Sequence, residues 1–89
     1  MALYKKDPDA VLDFAFDWSS WLAESETINT YTVTVESGLT KDSDSQADGK
    51  VTVWLSGGTA GNWYTVACRI VTSAGRTDER TMRIRVEDR

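Results

Sequence analysis

Apolar and polar residues alternate along much of this chain, most regularly in its last third. In the segment NWYTVACRIVT every second residue is apolar, and RTDERTMRIRV continues the alternation from Met82 to Val86. A period of two predicts strands that bury one face and expose the other. Between the segments, Ala74-Gly75 provides a residue that adopts positive φ, as a short hairpin turn requires. The sequence therefore predicts a C-terminal β-hairpin.

Three earlier segments show the same alternation and predict further strands. Residues 10–18 place phenylalanines and Trp18 on one face, residues 27–35 place Tyr31 and two valines there, and residues 50–55 alternate valine and leucine with polar residues. Valine, threonine and aromatic residues favour strands. We therefore expect five strands, counting the two of the hairpin.

The segments between the strands are of three kinds. Residues 19–26 predict one helical turn or a corner that crosses between sheets. Residues 36–49 are small, polar and rich in turn-forming residues, which predicts a loop with at most a short strand near Gly38–Thr40. Residues 56–61 contain three glycines and predict a flexible corner before the hairpin.

These elements predict an all-β protein, an immunoglobulin-like β-sandwich of about six to eight antiparallel strands. Residues 10–89 form its single domain, and residues 1–9 precede it as an arm, because Pro8 is unsuited to a paired central strand. Tyr64 stands near the start of the penultimate strand, where sandwich domains often place a tyrosine that hydrogen-bonds back to the preceding corner.

The composition is that of a folded, mildly acidic domain. The 89 residues are 40% hydrophobic, include four tryptophans and carry a formal charge of −4. Residues 1–48 contain ten acidic and three basic side chains, whereas residues 49–89 contain four acidic and seven basic ones. Phosphate would repel the acidic half, so nucleic acid is not an expected partner. The two halves suit head-to-tail contact between copies if the fold separates their charges; otherwise the charges intermix on the surface.

Neither a membrane nor a secretion pathway is expected. No apolar run approaches the roughly 20 residues of a spanning helix, and the N-terminal residues have no apolar signal core. We therefore expect synthesis in the cytoplasm and no membrane partner.

The sequence predicts no catalytic, cofactor or metal site, and hence no enzyme. It contains no histidine, the usual general base, and its one cysteine, Cys68, falls on an inward face. The segment DSDSQADG resembles a calcium loop, but with Asp42 as position one the required glycine is Ala47 and the required glutamate is Val53. A solvated loop is the favoured interpretation.

Five residues are candidates for a protein interface, because they fall on outward faces of predicted strands. Tryptophan and arginine are enriched at the energetically dominant positions of interfaces. The three arginines lie on neighbouring strands, where they are able to form a basic ladder; edge packing or simple solvation are the alternatives. The candidates are Trp54, Trp63, Arg69, Arg83 and Arg85.

Three segments of the chain resemble a known family. The segments KDPDAVLDFAFDWSSWL, KVTVWLSGGTAGNWYTV and RIVTSAGRTDERTMRIRV together look like the fibre–tail adaptor family of tailed bacteriophages, from about Lys6 to Val86. The resemblance implies an Ig-like virion structural protein, made in the host cytoplasm, that joins a tail or fibre component to the rest of the particle. It implies other virion proteins as partners and no catalytic residues. It carries over no residue-level contact.

Three functions follow from this sequence. The first is a virion adaptor or connector, present in several copies of a symmetric assembly. The second is a capsid decoration protein. The third is a carbohydrate-binding module, which requires the rings of Trp54 and Trp63 to lie side by side on one exposed face.

Overall fold

The computed structural model describes residues 2–88 as an all-β protein. Met1 and Arg89, the outermost residues of the expected arm and domain, lie outside the described residues. The described part contains seven strands: β1 (Ala2–Lys6), β2 (Leu12–Asp17), β3 (Ile28–Val35), β4 (Leu39–Ala47), β5 (Lys50–Gly57), β6 (Trp63–Thr72) and β7 (Thr77–Val86).

The strands form two sheets that pack as a sandwich. Sheet A has the order β1-β7-β6-β3, and sheet B has the order β2-β5-β4. The orders β7-β6-β3 and β2-β5-β4 fit the arrangement of an immunoglobulin-like sandwich, in which strands C, F and G form one sheet and B, E and D the other. The expected all-β sandwich is confirmed, and the immunoglobulin-like arrangement fits these strand orders. One pairing departs from the antiparallel expectation, because β1 runs parallel to β7.

The core lies between the sheets, and most of its residues are those that the alternation assigns to the inner faces; Leu39, in the expected loop, is also buried, and Tyr31, Val33 and Val35 are only partly buried. Trp18 is fully buried, and its indole Nε1 donates to Asp78 Oδ2 at 2.9 Å, which ties the end of β2 to β7. Cys68 is buried as expected, and burial raises the pKa of its thiol to about 12. The buried apolar residues are Phe14, Phe16, Trp18, Ile28, Leu39, Val51, Val53, Leu55, Tyr64, Val66, Cys68, Ile70, Met82, Ile84 and Val86.

The connections also follow from local chemistry. The chain crosses from sheet B to sheet A through residues 18–27, where the backbone N–H groups of Trp21 and Leu22 both donate to the carbonyl of Trp18 in a single turn. The β6–β7 hairpin turns at Gly75, whose φ is +84°. Tyr64 accepts a hydrogen bond from the backbone N–H of Thr59 at 2.9 Å, so the expected tyrosine contact with the preceding corner is present.

The structure differs from the sequence expectation at residues 36–49. Most of this segment is strand β4, which pairs with β5 from Leu39 to Ala47 and contains a bulge at Asp42. The actual turn is only Asp48-Gly49, both with positive φ, as a two-residue hairpin turn requires. Edge position explains the composition, because only one side of β4 faces a strand and most of its side chains face solvent.

The N-terminal residues also differ from the expected arm. Ala2–Lys6 form β1 at the edge of sheet A, in register with Met82–Val86. The charged group of Lys6 is buried, and its Nζ donates to the carbonyls of Asp7 and Gly57, each at 2.8 Å. These two hydrogen bonds from one long side chain hold the end of β1 against the corner that follows β5.

Candidate functional site

Trp63 and two arginines form a cluster on the outer face of sheet A. Trp63 begins β6 and lies directly opposite Arg85 on β7, while Arg83 lies diagonally beside it on the same face. The guanidinium carbons of Arg83 and Arg85 are 4.9 and 5.6 Å from the centre of the Trp63 ring. These distances are those of cation–π contacts. Trp63 is 37% exposed, and the two guanidinium groups restrict the orientation of its indole ring.

The surroundings of this cluster are basic and partly apolar. On the neighbouring strand β1, Lys5 lies opposite Arg85 and the exposed Leu3 lies opposite Arg83. Two carboxylates lie nearby: Glu87 is 3.8 Å from Lys5 Nζ and 3.6 Å from Arg85 Nε, and Glu36 accepts from the backbone N–H of Thr65, opposite Arg83, at 2.8 Å. Arg85 Nε is buried and donates no hydrogen bond to the described residues. We call the set Lys5, Trp63, Arg83 and Arg85 the Trp63 patch.

Arg69 lies on the same outer face but outside the Trp63 patch. It is paired in register with Glu79, whereas Arg83 is paired with Thr65, four residues earlier on β6. Four residues of strand span about 13 Å. The expected ladder of three arginines is therefore divided into one adjacent pair and one arginine that faces a carboxylate.

Trp54 lies on the opposite outer face of the sandwich. It is in β5 of sheet B, between Asp13 on β2 and Ser43 on β4, and it is 42% exposed. Outward residues of the two sheets point in opposite directions in a sandwich. Trp54 and Trp63 thus do not share a face, and the side-by-side arrangement required of a carbohydrate platform is not met.

A second ordered cluster, which no sequence pattern indicated, lies at the end of the molecule that contains the β6–β7 turn. Glu26 accepts hydrogen bonds from the Arg76 guanidinium, the Thr72 hydroxyl and the backbone N–H of Ala23, which together lower the pKa of Glu26 to about 2. Arg76 also stacks on Trp21, at 4.0 Å from the ring centre. Fifty residues separate Glu26 from Arg76, so no local motif marks the pair. The cluster fastens the corner between β2 and β3 to the hairpin.

The acidic residues of the segment DSDSQADG do not converge on one point. Asp42 accepts from the Ser56 hydroxyl at 3.1 Å, while Asp44 binds Lys41 and the Tyr31 hydroxyl. The Lys41 contact, followed by that of Tyr31, lowers the pKa of Asp44. Asp48 lies in the turn. Among residues 2–88, no group of three or more acidic, cysteine or histidine side chains has the arrangement of a metal site.

A shallow groove of about 520 Å³ lies between β2 and β7, and Tyr4 of β1 also lines it. Phe16 and Met82 form part of its apolar lining. Its charged groups are engaged in local contacts: Arg80 Nη1 donates to the Asp17 carbonyl at 2.6 Å, and the Asp17 carboxylate accepts from the Ser19 hydroxyl at 2.6 Å. No helix within residues 2–88 is long and apolar enough to cross a membrane.

Comparison with known families completes this description. Residues 6–85 match the model of the family described as podophage GP4 fiber-tail adaptor protein gp77. The chain belongs to this family. The match confirms the resemblance seen in the sequence and covers all seven strands except the first four residues of β1 and the last residue of β7. The family implies a phage virion protein that binds other virion proteins. A comparison with curated proteins finds no match.

Proposed function

We propose that this chain is a non-enzymatic adaptor of a tailed-phage virion, which joins a tail or fibre component to the rest of the particle. The observation that carries the proposal is the family match over residues 6–85. We further propose that the protein is assembled in the host cytoplasm, that several copies occupy a symmetric position in the particle, and that nucleic acid is not among its partners.

The Trp63 patch is the surface that we assign to a protein contact. A half-exposed tryptophan held by two guanidinium groups is pre-oriented, so binding orders few additional rotatable bonds. Tryptophan and arginine are also the residues that most often dominate interface energies. Because Lys5, Arg83 and Arg85 outnumber Glu87 and Glu36, the surface suits an acidic partner.

The side chains of the described residues support a binding role over a catalytic one. The single thiol, Cys68, is buried with a pKa of about 12, so it is protonated and inaccessible at neutral pH. In the groove beside β2, the Arg80 guanidinium donates to the backbone carbonyl of Asp17, and the Asp17 carboxylate accepts from the Ser19 hydroxyl. Both charged groups are therefore engaged in local hydrogen bonds.

The proposal is tested by complementing a phage that lacks the gene with native or variant protein. Particles carrying Trp63→Ala are expected to contain at most about one tenth of the joined tail or fibre protein found in native particles, because a central interface tryptophan contributes about 2 kcal/mol or more to binding. Quantitative mass spectrometry of the particles measures this amount. Thr32→Ala, on the outer face of β3, is the matched control and should assemble normally.

Two results would contradict parts of this proposal. If particles carrying Trp63→Ala contain normal amounts of the joined protein, the Trp63 patch is not the contact surface. Normal, infectious particles in the complete absence of the protein would remove the adaptor function itself.

A further inference from the structure

The outer face of sheet B carries a second exposed tryptophan in an acidic setting. Asp13 lies directly opposite Trp54, where side chains of paired residues are about 5 Å apart at Cβ. Asp42 is hydrogen-bonded to Ser56, which is on the same face two residues along β5, about 7 Å from Trp54. We call Trp54, Asp13 and Asp42 the Trp54 patch.

The lysines of β4 and β5 do not pair with the carboxylates of the Trp54 patch. Lys41 forms its ion pair with Asp44 at 2.6 Å, and Lys50 lies opposite Asp17 at the far end of the β2–β5 pair. Both carboxylates of the patch are exposed. The Trp54 patch is therefore acidic and apolar, whereas the Trp63 patch on the other outer face is basic and apolar.

We infer that the Trp63 patch of one copy binds the Trp54 patch of a second copy. The inference rests on the proposed function, because it identifies the acidic partner of the Trp63 patch as the Trp54 patch of a second copy; retention of the joined tail or fibre protein then depends on this contact between copies. Charge complementarity selects this occupant: one face carries Arg83 and Arg85, whose Nε has no hydrogen-bond acceptor among the described residues, and the other face carries the exposed carboxylates of Asp13 and Asp42. The contact also covers the two exposed tryptophans, which each copy leaves in water.

The placement of the patches determines the kind of assembly. They are different surfaces on opposite faces of one sandwich, so the contact is heterologous, and each copy keeps one unused patch after binding a neighbour. Repetition of such a contact produces a ring when the rotation closes and a filament when it does not. A symmetric dimer is not the expected product.

The first measurement is the sedimentation equilibrium of the purified full chain over a range of concentrations. We expect reversible association beyond a dimer at low salt, and a dissociation constant at least about tenfold weaker in about 1 M salt, where the Debye length is about 3 Å. A chain that stays monomeric at low salt and at all concentrations overturns the inference.

The second measurement uses charge reversal to separate the two faces. Arg83→Glu with Arg85→Glu disables the Trp63 patch, and Asp13→Lys with Asp42→Lys disables the Trp54 patch. Each double variant should associate about 10- to 100-fold more weakly than the native chain, since like charges then face each other across the contact. Arg69→Glu, outside the Trp63 patch on the same sheet, should associate as the native chain does.

Mixing the two double variants gives a sharper result. Each variant repels copies of itself, but in the mixture both the retained pair of patches and the reversed pair of patches are complementary, so the expected product is an assembly in which the two variants alternate. Combining all four reversals in one chain should restore association, because the charges are exchanged and remain complementary. Circular dichroism of each variant verifies that it is folded.

Two outcomes overturn the inference at this stage: association that no reversal weakens, or a mixture that associates no better than its separate components. The outcome is independent of the adaptor proposal. If the purified chain associates through these faces but the particles do not need the protein, only the adaptor proposal is wrong. If the chain joins tail and fibre as a monomer, only the inference of self-association is wrong.

Discussion

At the scale of single residues, two glycines of the corner between β5 and β6 have the same backbone conformation but different surroundings. Gly58 and Gly61 have φ values of +94° and +91°. A Cβ at Gly58 would lie 2.6 Å from Val86 Cγ2, whereas a Cβ at Gly61 would meet nothing within 4 Å. Since Val86 is fully buried, it has little room to move away. Alanine substitutions at these two positions therefore separate the cost of overpacking from the cost of backbone strain.

We predict that Gly58→Ala destabilises the protein by about 3 kcal/mol and Gly61→Ala by only about 1 kcal/mol. Both substitutions impose the cost of a left-handed conformation, about 1–2 kcal/mol, and only the first adds overpacking. Urea denaturation measures both values. Equal losses at the two positions would show that the Val86 contact relaxes without cost.

The environment of the Glu26 carboxylate predicts that the stability of the protein falls over a defined range of acidic pH. Hydrogen bonds from Arg76, Thr72 and Ala23 lower its pKa from 4.5 to about 2 in the folded protein. A lowered folded-state pKa stabilises the fold above the unfolded-state pKa, and this contribution is lost as the pH falls from about 4.5 to about 2.

Glu26→Gln should therefore be less stable than the native chain by a constant amount above about pH 5, and the difference should shrink progressively below pH 4.5. Urea denaturation at a series of pH values measures this difference. Glu24→Gln, an exposed neighbour, is the control and should have little effect. A Glu26 difference that does not vary with pH would contradict the assigned cause.

At the scale of the elements, strand β1 depends on one buried lysine. Lys6 Nζ satisfies two backbone carbonyls, and burial, the dominant effect, lowers the pKa of Lys6. The neighbouring Lys5 points outward, and its ion pair with Glu87 is long and exposed. Adjacent lysines on one strand thus have different roles because side chains alternate between faces.

Lys6→Ala is predicted to cost about 2–4 kcal/mol, because it removes a buried side chain and leaves two carbonyls without their donor. Lys5→Ala should change stability by less than about 0.5 kcal/mol. Hydrogen exchange localises the effect: the Glu87 amide, which donates to the Lys6 carbonyl at 2.9 Å, should lose protection only in Lys6→Ala. Unchanged protection would mean that β1 is held without this lysine.

The strands with regular alternation were predictable from sequence, and the edge strands were not. The period of two identified β2, β3, β5, β6 and β7, since each buries one face. Strand β4 is mostly serine, aspartate and other polar residues because it lies at an edge. The dipeptide Asp48-Gly49 was the available signal, as it favours a two-residue hairpin turn between paired strands.

The candidate interface was predictable to a similar extent. Alternation alone placed Trp54, Trp63 and the arginines outward. Bringing Trp63 beside Arg85 also requires the hairpin register, which the turn at Gly75 determines. Assigning Trp54 and Trp63 to opposite faces requires the order of strands in both sheets, because that order depends on contacts between residues far apart in the chain.

At the scale of the whole molecule, the sandwich is an elongated body with two unlike broad faces. It measures 42 Å in length and 20 Å in each of the other directions. One outer face presents the basic Trp63 patch and the other the acidic Trp54 patch. A small protein of this form is suited to contact different neighbours on its two sides, which is what an adaptor between virion components requires.

The most direct test of the adaptor account is the position of this protein in an intact particle, determined by electron microscopy with symmetry-resolved maps. The account predicts density at the tail, arranged as a ring or collar, in which each copy touches two different virion proteins. Density distributed over the capsid lattice would instead identify a decoration protein and contradict the account, as would absence of the protein from the particle.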